Sequence, residues 1–420
     1  MRNDDLKMRP RPVLVPSARR RGLIAFTALI MLSILVVVTL AASEEMGLEA
    51  KAAQNRNAVR QAYLSAYTGI DYGLYLSRMV PGWRTLLSAG DFMVNYTVGR
   101  GTVTVTADDP GGGAITNDPI GVVRLTAQAK CDLAKRTVTI LSQPPPGPAL
   151  RYAICSLSDK DLNIRDGVSI YGDIRTGGNV IADPDVSLAG NIYTAPGMDV
   201  DAHLIDGDTQ LIRTEGAVAS PPVDFAWYQS VAQELTLPFT GGAYVIENTR
   251  ITPDENPFGF AHAQGLYYFD AGGNEVHITD SYVIGSLIFA NVSRVTIKGG
   301  YYHKTHLKQY PALLCDADIW VEIGRNLEEI PTGVDFNGDG DTRDRFVSQI
   351  RGVIYSSGEV RGFQNGSDPG PFYIAGAVIA DEVLISGPGF HVSYDPELAE
   401  TAVAGFQGAG LVMIKGSMQD

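Results

Sequence analysis

"RRRGLIAFTALIMLSILVVVTLAASEE", Arg19 to Glu45, sets three arginines and a glycine before a long uncharged run and closes it with two acids. Leu23 to Ala42 carries no charge over twenty residues, about 30 Å of helix, which matches the apolar thickness of a bilayer. Outward from that run, residues 1 to 21 hold seven Arg or Lys against Asp4 and Asp5. That is a net +5, and it leaves −19 for the rest of a chain whose total is −14. The positive side of a spanning segment stays in the cytoplasm, so the pattern predicts a single pass with a cytoplasmic N-terminus and export of everything beyond Ala42. A disposable secretory signal would have a shorter apolar core and a small-residue cleavage site; "TLAASEE" loosely resembles one.

Against a disposable signal, helical character continues without a break through "EEMGLEAKAAQNRNAVRQAYLSAYTGIDYGLYLSRM". Val59, Tyr63, Tyr67, Ile70 and Leu74 fall on one predicted stripe, with Arg56, Arg60, Ser65 and Asp71 on other faces. The first stop is "VPGW" at Pro81, so one helix is predicted from Leu23 to about Met79, on the order of 85 Å long. Gly47, Gly69 and Gly73 are expected to soften it locally.

The basic leader ending in glycine, the apolar half-helix and the amphipathic half that follows resemble the type IV pilin superfamily. The resemblance implies cleavage by a prepilin peptidase between Gly22 and Leu23, and a mature protein that keeps its apolar segment. It also implies bacterial inner-membrane insertion, an assembly platform and other pilins or pseudopilins as partners, and a periplasmic or cell-surface filament after assembly. Most pilins carry a glutamate at the fifth mature position, where it neutralises a neighbour's N-terminal amine; here that position is Thr27. The resemblance therefore narrows to minor pilins and pseudopilins, especially the large PilX-like minor pilins with a β-rich C-terminal region and the large tip pseudopilin of type II secretion.

Beyond the helix, 81–142 reads as a small antiparallel sheet: "FMVNYTV" and "TVTVTA" around a glycine turn, then "VVRLTAQAK" and "RTVTILS" around "CDLAK". "SQPPPGPAL" follows, a Pro-rich stretch over 143–150 that is expected to act as a stiff spacer. From 151 to 420 a short pattern recurs: "GDIRT" at Gly172, "GNIYT" at Gly190, "GSLIF" at Gly285, "GVIYS" at Gly352 and "GAVIA" at Gly376. Short strands with glycine corners at this spacing predict an irregular parallel solenoid, with insertions near 194–245 and 325–346. Within the first insertion, "SPPVDFAWYQSVAQEL" predicts a helix capped by Asp224. The fold class is thus α+β: a long N-terminal helix on a small antiparallel sheet, followed by a mainly β, solenoid-like domain. An antiparallel sandwich is the plain alternative.

Composition agrees with a folded export: 45% hydrophobic, 19% charged, and 46 glycines. The acidic bulk has no basic stripe to displace phosphate counterions, which argues against nucleic acid. Cys131, Cys155 and Cys315 are odd in number and lack metal or redox spacing, so buried free thiols are expected, with a single disulfide as the alternative.

"DFNGDGDTRD" is the sharpest local motif. Asp335, Asn337, Asp339 and Asp341 alternate around glycines in a pattern that suits a hard cation, with Asp341 expected to offer its backbone carbonyl and Asp344 to serve as a later ligand, and Ca²⁺ is the expected ion. Position twelve, counted from Asp335, is Phe346 rather than a bidentate glutamate, and an acidic surface turn is the plain reading. Aromatics around Tyr267 and Tyr268, and at Tyr301, Tyr302 and Tyr310, are expected to offer a binding surface for sugars or a partner protein, with core packing of alternate tyrosines expected for at least half of them. No nucleophile or metalloprotease motif occurs, the six histidines are scattered, and no enzymatic activity is expected. The competing reading is a membrane-anchored solenoid that binds or cleaves polysaccharide.

Overall fold

The computed structural model describes residues 18–80, 82–86, 91–115, 118–205, 209–214, 218–364 and 370–419. Most of the leader expected over 1–22 lies outside the described residues. Helix α1 runs from Ala18 to Met79, continuous through Gly22 and Leu23. Among the described residues it is the one helix long and apolar enough to cross a membrane. Its apolar half is exposed on every side. The hydroxyls in that half are satisfied within the helix: Thr27 donates to the carbonyls of Leu23 and Ile24, Ser33 to Ile30, and Thr39 to Leu35 and Val36. No side chain there needs a polar partner from outside.

The other half of α1 lies on an antiparallel sheet of β1 (Asp91–Val98), β2 (Gly101–Asp108), β3 (Val123–Cys131) and β4 (Ala134–Gln143). Both expected hairpins form: β1 turns into β2 through Gly99 and Arg100, and β3 into β4 through Asp132 and Leu133. Strict alternation sends Val103, Val105, Leu125, Ala127, Val138 and Ile140 towards the helix.

The predicted helix stripe holds at Ile70 and needs correction at its other positions. Apart from Ile70, the face against the sheet is made of small residues, with Ala58, Ala62, Ser65, Ala66, Gly69, Gly73 and Ser77 buried. Val59 is exposed, while Tyr63, Tyr67 and Leu74 flank the contact half-buried. Ser65, expected on another face, is buried and donates to the Val98 carbonyl at 3.4 Å. Helix and sheet approach too closely for larger residues: a Cβ on Gly69 would sit 2.7 Å from Val103 Cγ2 and 3.1 Å from Val105 Cγ2. Gly69 and Gly73 therefore serve close packing. Gly47, with nothing within 4 Å of its would-be Cβ, is the one that merely loosens the helix.

The largest sheet is a solenoid of strands stacked in three ladders, parallel except where Phe239–Thr240 pairs with the start of the strand Ala243–Ile251, a geometry that sets aside the sandwich alternative. One ladder places Tyr267, Leu287, Leu313, Ile354, Val378, Ile154, Ile174, Ile192 and Leu211 in a single register column. Each "G-x-apolar" repeat in the sequence supplies the third residue of its motif to this column. A second column runs Ile246, Ile278, Ile297, Val321, Gly362, Ile385, Ile164, Ala182. The third runs Ile251, Val283, His303, Ile350, Ile374, Val392, Ile170, Leu188. These columns form the core.

Stacking order differs from chain order. The chain enters in the middle at Ile154 and stacks outward through Ile174 and Ile192 to Leu211. It then reaches the opposite end, where Gln233 pairs beside Tyr267, and stacks back inward until Val378 docks on Ile154. The segment between Leu211 and Gln233 thus traverses ten stacked strands, roughly 43 Å at about 4.8 Å per step, well within the reach of 22 residues.

Helix α2 (Trp83–Leu86) follows α1, and α3 (Phe225–Val231) lies on the traverse, capped by Asp224, whose carboxylate accepts from Trp227 N at 3.0 Å. Tyr228 of α3 is fully buried and donates to the Ala404 carbonyl at 2.9 Å. Together α3, Leu398 and Phe406 cover the outward side of the first ladder, burying Tyr268, Ile288, Leu314, Tyr355, Ile379 and Cys155. Burial on both sides explains why these strands read as continuous apolar runs.

Two expected boundaries are corrected. The Pro-rich stretch is no free spacer, because Gly147 N donates to Phe406 O at 2.7 Å and Gly408 N to Pro145 O at 2.8 Å. Nor does the solenoid continue to 420. Val412–Met413 adds a fifth strand to the helix-bound sheet beside β4, Leu411 joins that sheet's core, and Leu411 N donates to Ser77 Oγ at 3.0 Å.

The substitution Gly69→Val is expected to lower stability by about 1–3 kcal/mol or more, because the sheet must move off the helix. Gly47→Ala is expected to be neutral or to stabilise by up to about 1 kcal/mol. Thermal unfolding of the two variants checks the close-packing assignment, and equal melting temperatures would refute it.

Candidate functional site

The expected cation loop belongs to an excursion between two strands of the solenoid. Leu327–Glu328 pairs antiparallel with Arg345–Phe346 and closes the loop at its base. The organiser is Glu329, a residue the motif did not reveal. It is fully buried, and its carboxylate accepts from Phe336 N at 2.7 Å and from Asp344 N at 2.9 Å. Nothing in "NLEEIP" sets Glu329 apart from Glu328, so its burial was not legible in the sequence.

Aromatic rings fasten the loop to the solenoid. Phe336 is fully buried and stacks on Tyr282 at 6.2 Å, and Phe346 meets Tyr282 and Tyr302 edge-on at 5.4 and 6.0 Å. The Arg250 guanidinium lies 3.0 Å from where a Cβ on Gly338 would stand, and Arg250 also pairs with Glu255 at 2.7 Å.

The five predicted ligands divide into two groups. Asp339, Asp341 and Asp344 bring carboxylate oxygens within 4.8 Å of one another. Asp335 instead spends its carboxylate on the backbone, accepting from Gly338 N at 2.6 Å and Gly340 N at 2.8 Å. Asn337 accepts from Asp339 N at 3.0 Å and donates its amide to Asp339 and Asp344. Asp335 and Asn337 thus shape the turn, and three carboxylates gather. Desolvation and the neighbouring charges of Asp339, Glu329 and Asp341 push the Asp344 carboxyl above its ordinary range. Bonds from the Asp341 backbone and the Asn337 side chain hold Asp339 below its own. The three gathered oxygens suit a hard cation whose remaining positions are filled by water.

Of the two expectations for these aromatics, core packing holds for four of the five, and the binding surface at Tyr301 and Tyr310 is corrected by burial. Tyr267, Tyr268, Tyr301 and Tyr310 are buried, and Tyr302 is half-buried, stacked on Tyr282 with centroids 4.6 Å apart. Alternation along Arg294–Lys304 turns Tyr301 and His303 inward and Tyr302 towards the cation-loop excursion. Tyr310 lies against Trp227 of α3 and donates to Gln264 at 3.2 Å.

Tyr301 and His303 form a buried polar pair. His303 Nδ1 lies 2.8 Å from the Tyr301 hydroxyl and Nε2 lies 3.1 Å from the Gly285 carbonyl. A carbonyl only accepts, so Nε2 carries the proton and the hydroxyl donates to Nδ1; the neutral ring uses both nitrogens. Complete burial pulls His303 down from 6.5 to about 4 and pushes the Tyr301 hydroxyl well up. The histidine pair in "HKTH" does separate, with His306 exposed. All three cysteines are free and buried, and burial raises the Cys155 thiol to about 12.

Comparison with known proteins adds little. No protein family and no curated protein matches this sequence. Among solved structures, the competence-associated pilin ComZ from Thermus thermophilus aligns over 86% of this chain and 96% of its own, with 11% identity and a TM-score of 0.32. A score that low establishes no shared fold.

The buried histidine makes stability depend on pH. Its pKa is depressed in the folded chain, so its contribution is fully present above pH 6.5 and is lost as pH falls towards 4, on the order of 3 kcal/mol in all. Chemical unfolding between pH 7 and 4.5 should show a steeper loss in the wild type than in the double variant Tyr301→Phe, His303→Leu. Parallel pH profiles would contradict a neutral buried His303.

Proposed function

We propose that this chain is a pilin-like subunit of the large, PilX-like minor pilin or pseudopilin kind. It is inserted in a bacterial inner membrane with its N-terminus in the cytoplasm and cut after Gly22 by a prepilin peptidase. An inner-membrane assembly platform then builds it into, or places it at the tip of, a type IV pilus or related secretion filament. One observation carries this reading. A single helix has one half exposed, apolar and satisfied in its own hydrogen bonds, while its other half is nested in an antiparallel sheet. Such a helix can lie in a bilayer and then among neighbouring apolar helices without changing its fold. Thr27 fits either setting, since its hydroxyl bonds to Leu23 and Ile24 within the same helix. The solenoid is the part presented outward, for assembly priming, adhesion or substrate contact, and its work is packing and recognition without turnover.

The acidic loop is read as a Ca²⁺ site that pins the excursion. Asp339, Asp341 and Asp344 would hold the ion, and Asp335 and Asn337 would keep the turn in shape.

Mass spectrometry of the protein from its native membrane is expected to find Leu23 at the N-terminus. An intact Met1, or an N-terminus beyond Ala42, would remove the processing step and with it the filament reading. For the loop, adding Ca²⁺ to the detergent-solubilised full chain should raise the melting temperature by several degrees, reversed by chelator and lost in Asp339→Ala. An unresponsive wild type, or an equal response in the variant, would refute the cation.

A further inference from the structure

A cleft of about 490 Å³ opens on the solenoid flank, at the glycine corner between the third ladder and the first. Its lining includes two cations from adjacent strands in direct register, Lys304 and Arg351. Both are exposed, and among the described residues neither is paired with a carboxylate. Arg351 is steadied from the side, its Nε donating to Gln349 Oε1 at 2.8 Å. Exposed His306 and Lys308 stand on the same cleft. Of the two acids in the lining, Glu397 pairs with Lys308, and the Asp395 carboxylate caps a short helical turn by accepting from Glu397 N at 3.0 Å.

Like charges on directly paired neighbouring residues oppose the strand pairing that holds them there. A chain with net charge −14 has acids enough to relieve that repulsion, yet this cleft keeps three cationic or protonatable groups uncommitted. The lining around them mixes apolar surface from Tyr394, Pro396 and Leu398 with hydroxyls from Thr305, Ser393 and Thr401. A fixed anionic group is the complement of the paired cations, and a hydroxyl-rich ring with apolar faces is the complement of the rest. The cleft's volume admits one or two sugar rings. Long polyanions would also meet the acidic surface beyond the cleft, whereas a short acidic sugar meets only the cleft.

The geometry points to a binding site for a carboxylate-bearing saccharide, with Lys304 and Arg351 holding the carboxylate and the Tyr394 side receiving the ring. The site stands whether or not the chain is built into a filament.

Calorimetric titration of the detergent-solubilised full chain with digalacturonate tests it, against a neutral disaccharide, inorganic phosphate and a short single-stranded oligonucleotide. Digalacturonate is expected to bind, the neutral disaccharide at least tenfold more weakly, and both Lys304→Gln and Arg351→Gln to lose at least tenfold in affinity. The same variants should melt at or above the wild-type temperature, because each removes one of two opposed charges. Absence of digalacturonate binding, unchanged affinity in the variants, equal binding of the neutral sugar, or tighter binding of phosphate or oligonucleotide would each overturn the assignment.

Discussion

Register is the constraint on which the solenoid rests. Each inward residue stands about 4.8 Å from its counterpart on the next strand, and a slip of one position would turn a whole column from core to surface. The columns are accordingly almost uniform in Ile, Val and Leu, and the exceptions are compensated locally. Gly362 leaves a gap that the Phe390 ring occupies, its Cε1 lying 2.9 Å from where a Cβ would be. His303 enters as a neutral ring with both nitrogens bonded. At the corner, a Cβ on Gly376 would lie 2.0 Å from the Gly352 carbonyl oxygen, so the turn is open only to a residue without one.

Helix, sheet and solenoid form one connected body because two chain segments join them side by side. The stretch entering the solenoid pairs with the stretch leaving it, through Gly147, Phe406, Pro145 and Gly408. The departing segment then reaches the helix at Ser77 and the edge of the sheet at β4. A single flexible tether would let the solenoid swing; two hydrogen-bonded segments restrict that motion.

Much of this was legible in the sequence where the determinants are local. The apolar run, the two hairpins, the Asp224 cap and the glycine-led repeats each depend on residues within a turn or a strand, and each forms where the pattern placed it. What escaped depends on partners far along the chain. The helix face was misread because large apolar residues looked like the buried stripe, whereas the closeness of the sheet selects Ala58, Ala62 and Gly69. That tyrosines would enter the core was legible, but not which ones, because the exposure of Tyr310 is set by α3 and that of Tyr302 by Tyr282 and Phe346, none of them its neighbours in sequence. Within the acidic loop the positions of the oxygens were evident, but not which ones the backbone would claim, since that depends on how Glu329 folds underneath.

The traverse from one end of the stack to the other separates the order of synthesis from the order of assembly. Ile154 is made 224 residues before Val378, the partner that covers its open side. Until then the strand Ile154–Ser156 offers an unpaired backbone edge, the kind of surface that recruits strands from other chains. Its closure is a contact of very long sequence separation, which slows folding without weakening the folded state. The yield of finished protein therefore depends on a race between that late docking and association of half-built stacks.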